Sequence, residues 1–164
     1  MSSTDSIKLE IPRAIIADII MERLNRIGVP TEITQPVHTS APADLPAIGA
    51  AYQGGLYAGL TLVDNVPHAL VLLPGDCEAG WKFAAEWAQQ NGGELPSRFD
   101  GLVLFKNLKS EFKEEAHWLN ERHASASGSA WYQHFNNGYQ FTYHTDSTLR
   151  ARAVRRFPLN NSVI

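Results

Sequence analysis

The chain has 164 residues, 44% of them hydrophobic and 19% charged, with a formal net charge of -3. That length suits one ordinary domain with a short appendage, and it buries enough apolar surface to need no covalent staple. The charge balance gives no reason to expect nucleic acid or an anionic membrane as partner, and the single cysteine, Cys77, excludes an internal disulfide and a multi-cysteine zinc site.

The start, "MSSTDSIKLEIPR", has no basic stretch followed by a long apolar one, so no signal peptide is expected. The apolar stretches are also too short to span a bilayer. The expected location is the cytosol, or a particle assembled there. "IKLEIP" alternates like a short strand. In the next segment Ile15, Ile16, Ile19, Ile20, Leu24 and Ile27 recur at helical spacing, and Gly28 and Pro30 end the run. Such a broad isoleucine stripe needs a partner surface, and a homo-oligomer held by Ile15, Ile16, Ile19, Ile20 and Leu24 is the expectation. "QPVHTSAPADLPAIGA" is rich in proline and small residues and reads as a linker. Residues 1–46 are therefore predicted to be an oligomerisation segment with its linker, and residues 47–164 the folded domain.

Two strands joined at "DNVP" are predicted from about Leu56 to Leu73. A helix follows in "GWKFAAEWAQQNGG", with Trp81, Ala84, Ala85 and Ala88 on one face and Asn91-Gly92-Gly93 as its stop. "LPSRFDGLVLFKNL" predicts a second helix with Ser97 as N-cap and Asp100 in the capping-box position. From His117 to Phe157 the pattern is β-like.

The segment "SAWYQHFNNGYQFTYHT", Ser129 to Thr145, carries the strongest hairpin signal, Asn137-Gly138. A two-residue loop there would pair His134 with Phe141 and Tyr132 with Tyr143. Alternation would then gather Tyr132, His134, Asn136, Tyr139, Phe141 and Tyr143 on one face. The other face would hold Trp131, Gln133, Phe135, Gln140, Thr142 and His144, with Trp131 and Phe135 as core anchors. Rings with polar tips suit a wet contact surface. They equally suit a core whose hydroxyls reach its edge, and a longer loop would shift the register. A last strand is predicted over "LRARAVRRF", Leu149 to Phe157. Its four arginines could hold an anion, stack on aromatic rings or pair with carboxylates.

Taken in order, "GGLYAGL", "LPSRFDGLVLFKN", "HWLNERHASASGSAWYQHFNNGYQ" and "RARAVRRF" resemble a phage and bacterial domain family of largely unknown function. The same domain forms the C-terminus of a collagen-like bacterial adhesin. The resemblance covers about Gln53 to Phe157. It implies an α+β, C-type-lectin-like fold, a twisted antiparallel sheet with two short helices, to which the N-terminal amphipathic helix is added. The hairpin is also similar to the variable region of proteins diversified by retroelements. That likeness implies scaffold roles for Trp131, Gln133, Phe135, Gly138, Arg152, Ala153, Val154 and Arg155. It implies ligand contact for Tyr132, His134, Asn136, Tyr139, Phe141, Tyr143 and His144. The family usually has Glu where this chain has Asp100, an exchange that keeps a capping acid. The calcium-site signature of sugar-binding C-type lectins is absent.

No residue pattern announces catalysis. Asp76 and Glu78 flank Cys77 and would raise its thiol pKa. The six histidines show no metal-ligand spacing, and no phosphate loop is present. The expectation is a non-enzymatic module with no cofactor and no metal, from a phage or prophage. It would bind a protein or glycan, with neither nucleic acid nor membrane as partner, in the host cytoplasm or on a virion. The rival expectation is an intracellular inhibitor or regulator of a host defence or nucleic-acid enzyme.

Overall fold

A computed structural model describes residues 45–159. The expected N-terminal strand, the isoleucine helix and most of the linker lie outside the described residues. The described part is α+β. Its first sheet has the order β1-β2-β3-β9, with β1 Ala51–Tyr52, β2 Gly55–Val63, β3 Val66–Leu72 and β9 Val154–Pro158. Its second has the order β4-β8-β5-β6-β7, with β4 Cys77–Ala79, β8 Leu149–Ala151, β5 Ala116–Arg122, β6 Ser129–His134 and β7 Gln140–His144. Pairing is antiparallel throughout except between β5 and β8. No helix among the described residues is long and apolar enough to cross a membrane.

Local signals account for the helices. Helix α1, Trp81–Gln90, buries Ala84 and Ala88. It ends where the Gly93 N–H donates to Ala88 and the Gly92 N–H to Gln89, with Gly92 at φ 75°. That double bond pattern is a Schellman cap, which needs a residue free to adopt the left-handed region. Helix α2, Arg98–Leu108, starts at the expected capping box, Ser97 with Asp100. At the β2–β3 turn Asp64 and Asn65 both take positive φ, which suits a two-residue hairpin loop.

The β3 run Ala69–Leu72 is buried on both faces, so it feeds two cores. Leu70 and Leu72 pack with Leu104 and Leu108 of α2, Phe112, Phe135 and Val154. Val71 packs with Ala84 and Ala88 of α1, Trp118, Ala130, Ala151 and Ala153.

Two expectations are corrected. The strand expected over Leu149 to Phe157 divides, β8 joining the second sheet and β9 the first. Ala151 and Ala153 are both fully buried, and the Ala153 carbonyl accepts the Leu73 N–H at 2.9 Å. The chain therefore crosses between sheets at Arg152 instead of running straight. The hairpin register is also shifted: Tyr132 pairs with Phe141 and Gln133 with Gln140, leaving a loop of residues 135–138. Phe135 causes the shift. It leaves the strand to stack on Phe112 at 3.8 Å and becomes almost fully buried. Burying a phenylalanine is worth about 1.5–3 kcal/mol, which outweighs the preference of Asn-Gly for a tight turn.

Candidate ligand-binding face

A register error of two residues leaves side-chain parity intact. Ala130, Tyr132 and His134 therefore still share a face with Tyr139, Phe141 and Tyr143, as the wrong loop length also implied. Along β7 and the residue just before it, the rings of Tyr139, Phe141 and Tyr143 are 56%, 53% and 54% exposed. Tyr139 and Phe141 lie nearly parallel with centroids 5.8 Å apart. Tyr132 and Tyr143 meet edge to face at 6.4 Å. Tyr132 is half-buried because its inner edge packs against the α1 core. His134 stands between Tyr139 and Ala116, its cross-strand neighbours. Asn136 is exposed at the loop tip. His144 is exposed on the opposite side of the strand, where its Nδ1 lies 3.6 Å from Asp146.

The opposite side is mostly sealed. Gln133 is fully buried and its Oε1 accepts from Gln140 Nε2 at 2.7 Å. Gln140 in turn bonds the Arg98 carbonyl at 2.7 Å and accepts from Arg98 Nε at 3.2 Å. Trp131, expected as a core anchor, is only half-buried. It lies between the Arg98 guanidinium, 3.6 Å from its centroid, and the His123 ring. A planar cation over an indole holds the ring without a full core around it. Gly138, at φ 81°, lets Phe105 of α2 sit against the loop tip.

Beyond His134 the face runs into a shallow cleft of about 290 Å³ lined by Ala116, Leu149, Glu78, Glu115 and Arg150. Arg150 bonds Glu115 at 2.6 Å, Asp76 at 2.9 Å and Glu78 at 2.5 Å. The bond to Glu115, more than the charges, raises the guanidinium's pKa. Three carboxylates around one guanidinium leave a surplus of negative charge. Of these groups the sequence offered only Arg150, as one of the arginines able to pair with carboxylates; Asp76, Glu78 and Glu115 were not its expected partners, because the four converge only through the β4–β8–β5 pairing.

Two further histidines and the cysteine are placed elsewhere. His117 is buried edge to face against the stacked Phe112 and Phe135 rings, its Nδ1 3.0 Å from the Glu115 carbonyl oxygen. Burial pushes its pKa down to about 4, and the nearby arginines add to that. His123 accepts backbone N–H groups of Ser125 and Ala126. Neither ring meets a carboxylate side chain by hydrogen bond. Burial first, and then Asp76, raise the Cys77 thiol. Among the described residues no group of three His, Cys, Asp or Glu side chains converges on a metal position.

The C-terminal arginines are engaged within the fold. Arg156 pairs with Glu94 and with fully buried Asp100. Arg152 lies over Phe112 and bonds the carbonyls of Glu111 and Leu73, while Arg155 bonds the Gly92 carbonyl and lies over Phe157. Neither a protein-family model nor a curated protein sequence matches the chain.

Proposed function

We propose that the domain is a non-enzymatic ligand-binding module with a C-type-lectin-like fold, of phage or prophage origin, that engages a protein or glycan through its β6–β7 face. The observation that carries this reading is the row Tyr139, Phe141 and Tyr143. Each ring is about half exposed, while Gln140 between the first two turns toward α2 and bonds Arg98. A folded chain does not need three large rings at consecutive outward positions of one strand, and contiguous exposed apolar area marks interaction surfaces. Tyrosine hydroxyls and His134 supply directional bonds beside the ring faces. The carboxylate surplus of the adjoining cleft favours a neutral or cationic ligand over an anionic one. An N-terminal oligomer would present several faces together and multiply avidity without new contacts.

The test replaces Tyr139, Phe141 and Tyr143 together by alanine. Binding is then measured to intact bacterial cells, to a neutral-glycan array and to host lysate proteins. The expected result is loss of the wild-type capture with thermal unfolding changed by only a few degrees. Unfolding of the triple variant, or unchanged capture, would overturn the reading.

A further inference from the structure

The two sheets expose four edges, and three are protected. Strand β1 is two residues long and β4 is three, with Glu78 at its centre. Strand β9 carries Arg155, Arg156 and Pro158, and Glu94 already exchanges both main-chain bonds with Val154. These are the usual devices against edge-to-edge pairing: shortness, charge, proline and cover. Strand β7, "QFTYH", has none of them. It is five residues long, carries no Lys, Arg, Asp, Glu or Pro, and has no bulge in its ladder with β6.

The direction of its free groups follows from the ladder. The His134 N–H donates to Tyr139 at one end, and the Thr145 N–H donates to Gly128 at the other, both at 2.8 Å. Antiparallel bonds alternate between pairs. Tyr139, Phe141 and Tyr143 therefore bond inward to β6, and the N–H and C=O groups of Gln140 and Thr142 point away from the sheet, as does the His144 N–H. Exposed apolar side chains flank this edge on both sides. The three rings lie on one. On the other lies α2, whose Arg98 contacts Gln140 and whose Phe105 contacts Gly138; Leu102 between them is 51% exposed.

We propose that β7 pairs with β7 of a second copy of this chain, antiparallel about a two-fold axis at Thr142. The outward groups admit that register. Thr142 exchanges bonds with the partner's Thr142, and Gln140 faces the partner's His144, whose N–H donates to the Gln140 carbonyl while its own carbonyl stays with the Ser147 N–H. Phe141 then stands beside the partner's Tyr143 in a non-hydrogen-bonded pair, the position where cross-strand side chains approach most closely. The strand brings no like carboxylates or ammonium groups into opposition, so the pairing is self-complementary in charge as well as geometry. It joins two five-stranded sheets and makes the ring rows of both copies continuous. The proposal stands independently of what the ring face binds.

The test uses the full chain with Thr142→Lys, Thr142→Glu and Thr142→Val, reading amide hydrogen exchange at Thr142 and His144 across a concentration series, with sedimentation in parallel. Wild type and Thr142→Val should gain protection at these amides as concentration rises. Each charged variant alone should lose it, with at least about a 30-fold weaker association, from like charges facing across the axis. An equimolar mixture of the Lys and Glu variants should regain protection, which also certifies that both are folded. Exchange at these amides that is independent of concentration in wild type, or no recovery in the mixture, would overturn the pairing. Ring-dependent ligand capture alongside that flat profile would leave the binding proposal standing.

Discussion

Replacing Asp100 by alanine should be among the most damaging single changes in the described domain. The carboxylate is fully buried, accepts the Ser97 N–H at 2.8 Å, and is bonded by the Thr61 hydroxyl. Arg156 approaches it through Nε at 3.1 Å and also through Nη2, and the Arg156 side chain is only 10% exposed. Removing the acid orphans a buried guanidinium, a class of change that costs about 3–5 kcal/mol. Losing the capping contact adds about 1 kcal/mol. Glu94 keeps its own bond to Arg156 but is half exposed, so it offsets only part of the first figure. The expected net loss is about 3 kcal/mol, a large share of the 5–15 kcal/mol typical of a domain. Urea unfolding followed by tryptophan fluorescence measures it, with an unchanged m-value as the condition for comparison. The double variant Asp100→Ala with Arg156→Ala should lose less than the sum of the two single losses, by about 1 kcal/mol or more. A single-variant loss under about 1 kcal/mol, or strict additivity, would refute the assignment of Asp100 as the buried counter-charge. The exchange to glutamate, which keeps a capping acid, is not neutral in this setting. An added methylene in a fully buried site should cost about 1–3 kcal/mol.

His117 should make the fold acid-sensitive. Its pKa is about 4 in the folded chain and 6.5 in the unfolded one, so the unfolded state binds the extra proton between those values. Stability should therefore fall by about 3 kcal/mol as pH drops from 7 to 4 on this group's account, and the fall should flatten in a His117→Phe variant compared by urea titration at each pH. Gly138→Ala should destabilise more than Gly54→Ala, although both glycines have positive φ, at 81° and 84°. A Cβ on Gly138 would come within 2.8 Å of the Phe105 ring, whereas one on Gly54 meets nothing within 4 Å. Backbone strain common to both is about 1 kcal/mol, so the difference between their unfolding midpoints isolates the Phe105 contact.

The face and the cleft beside it differ in how they arise. The rings come from one hairpin and stay together for any even register, whereas the cleft needs three strands brought side by side. Aromatic contact area and a carboxylate surplus consequently adjoin at His134, the residue that belongs to both.

Much of the local structure was legible in the residues themselves. Ser97 and Asp100 sit three apart and complete a capping box wherever that helix packs. Asp64-Asn65 and Gly92 mark their turn and helix end because few other residues tolerate positive φ. The division of the hairpin into a ring face and a glutamine face was legible too, since alternation has a period of two and survives a slip of two. Contacts between distant segments decided the rest. Phe135 left its strand because Phe112 offered a buried ring to stack on, and that lengthened the loop. The arginine-rich ending divided between two sheets because Ala151 and Ala153 each face the core. Asp100 became a buried counter-charge only when Arg156, 56 residues away, was laid against it. Short-range geometry is written in neighbouring residues, but which distant groups share a low-dielectric interior depends on the path of the whole chain.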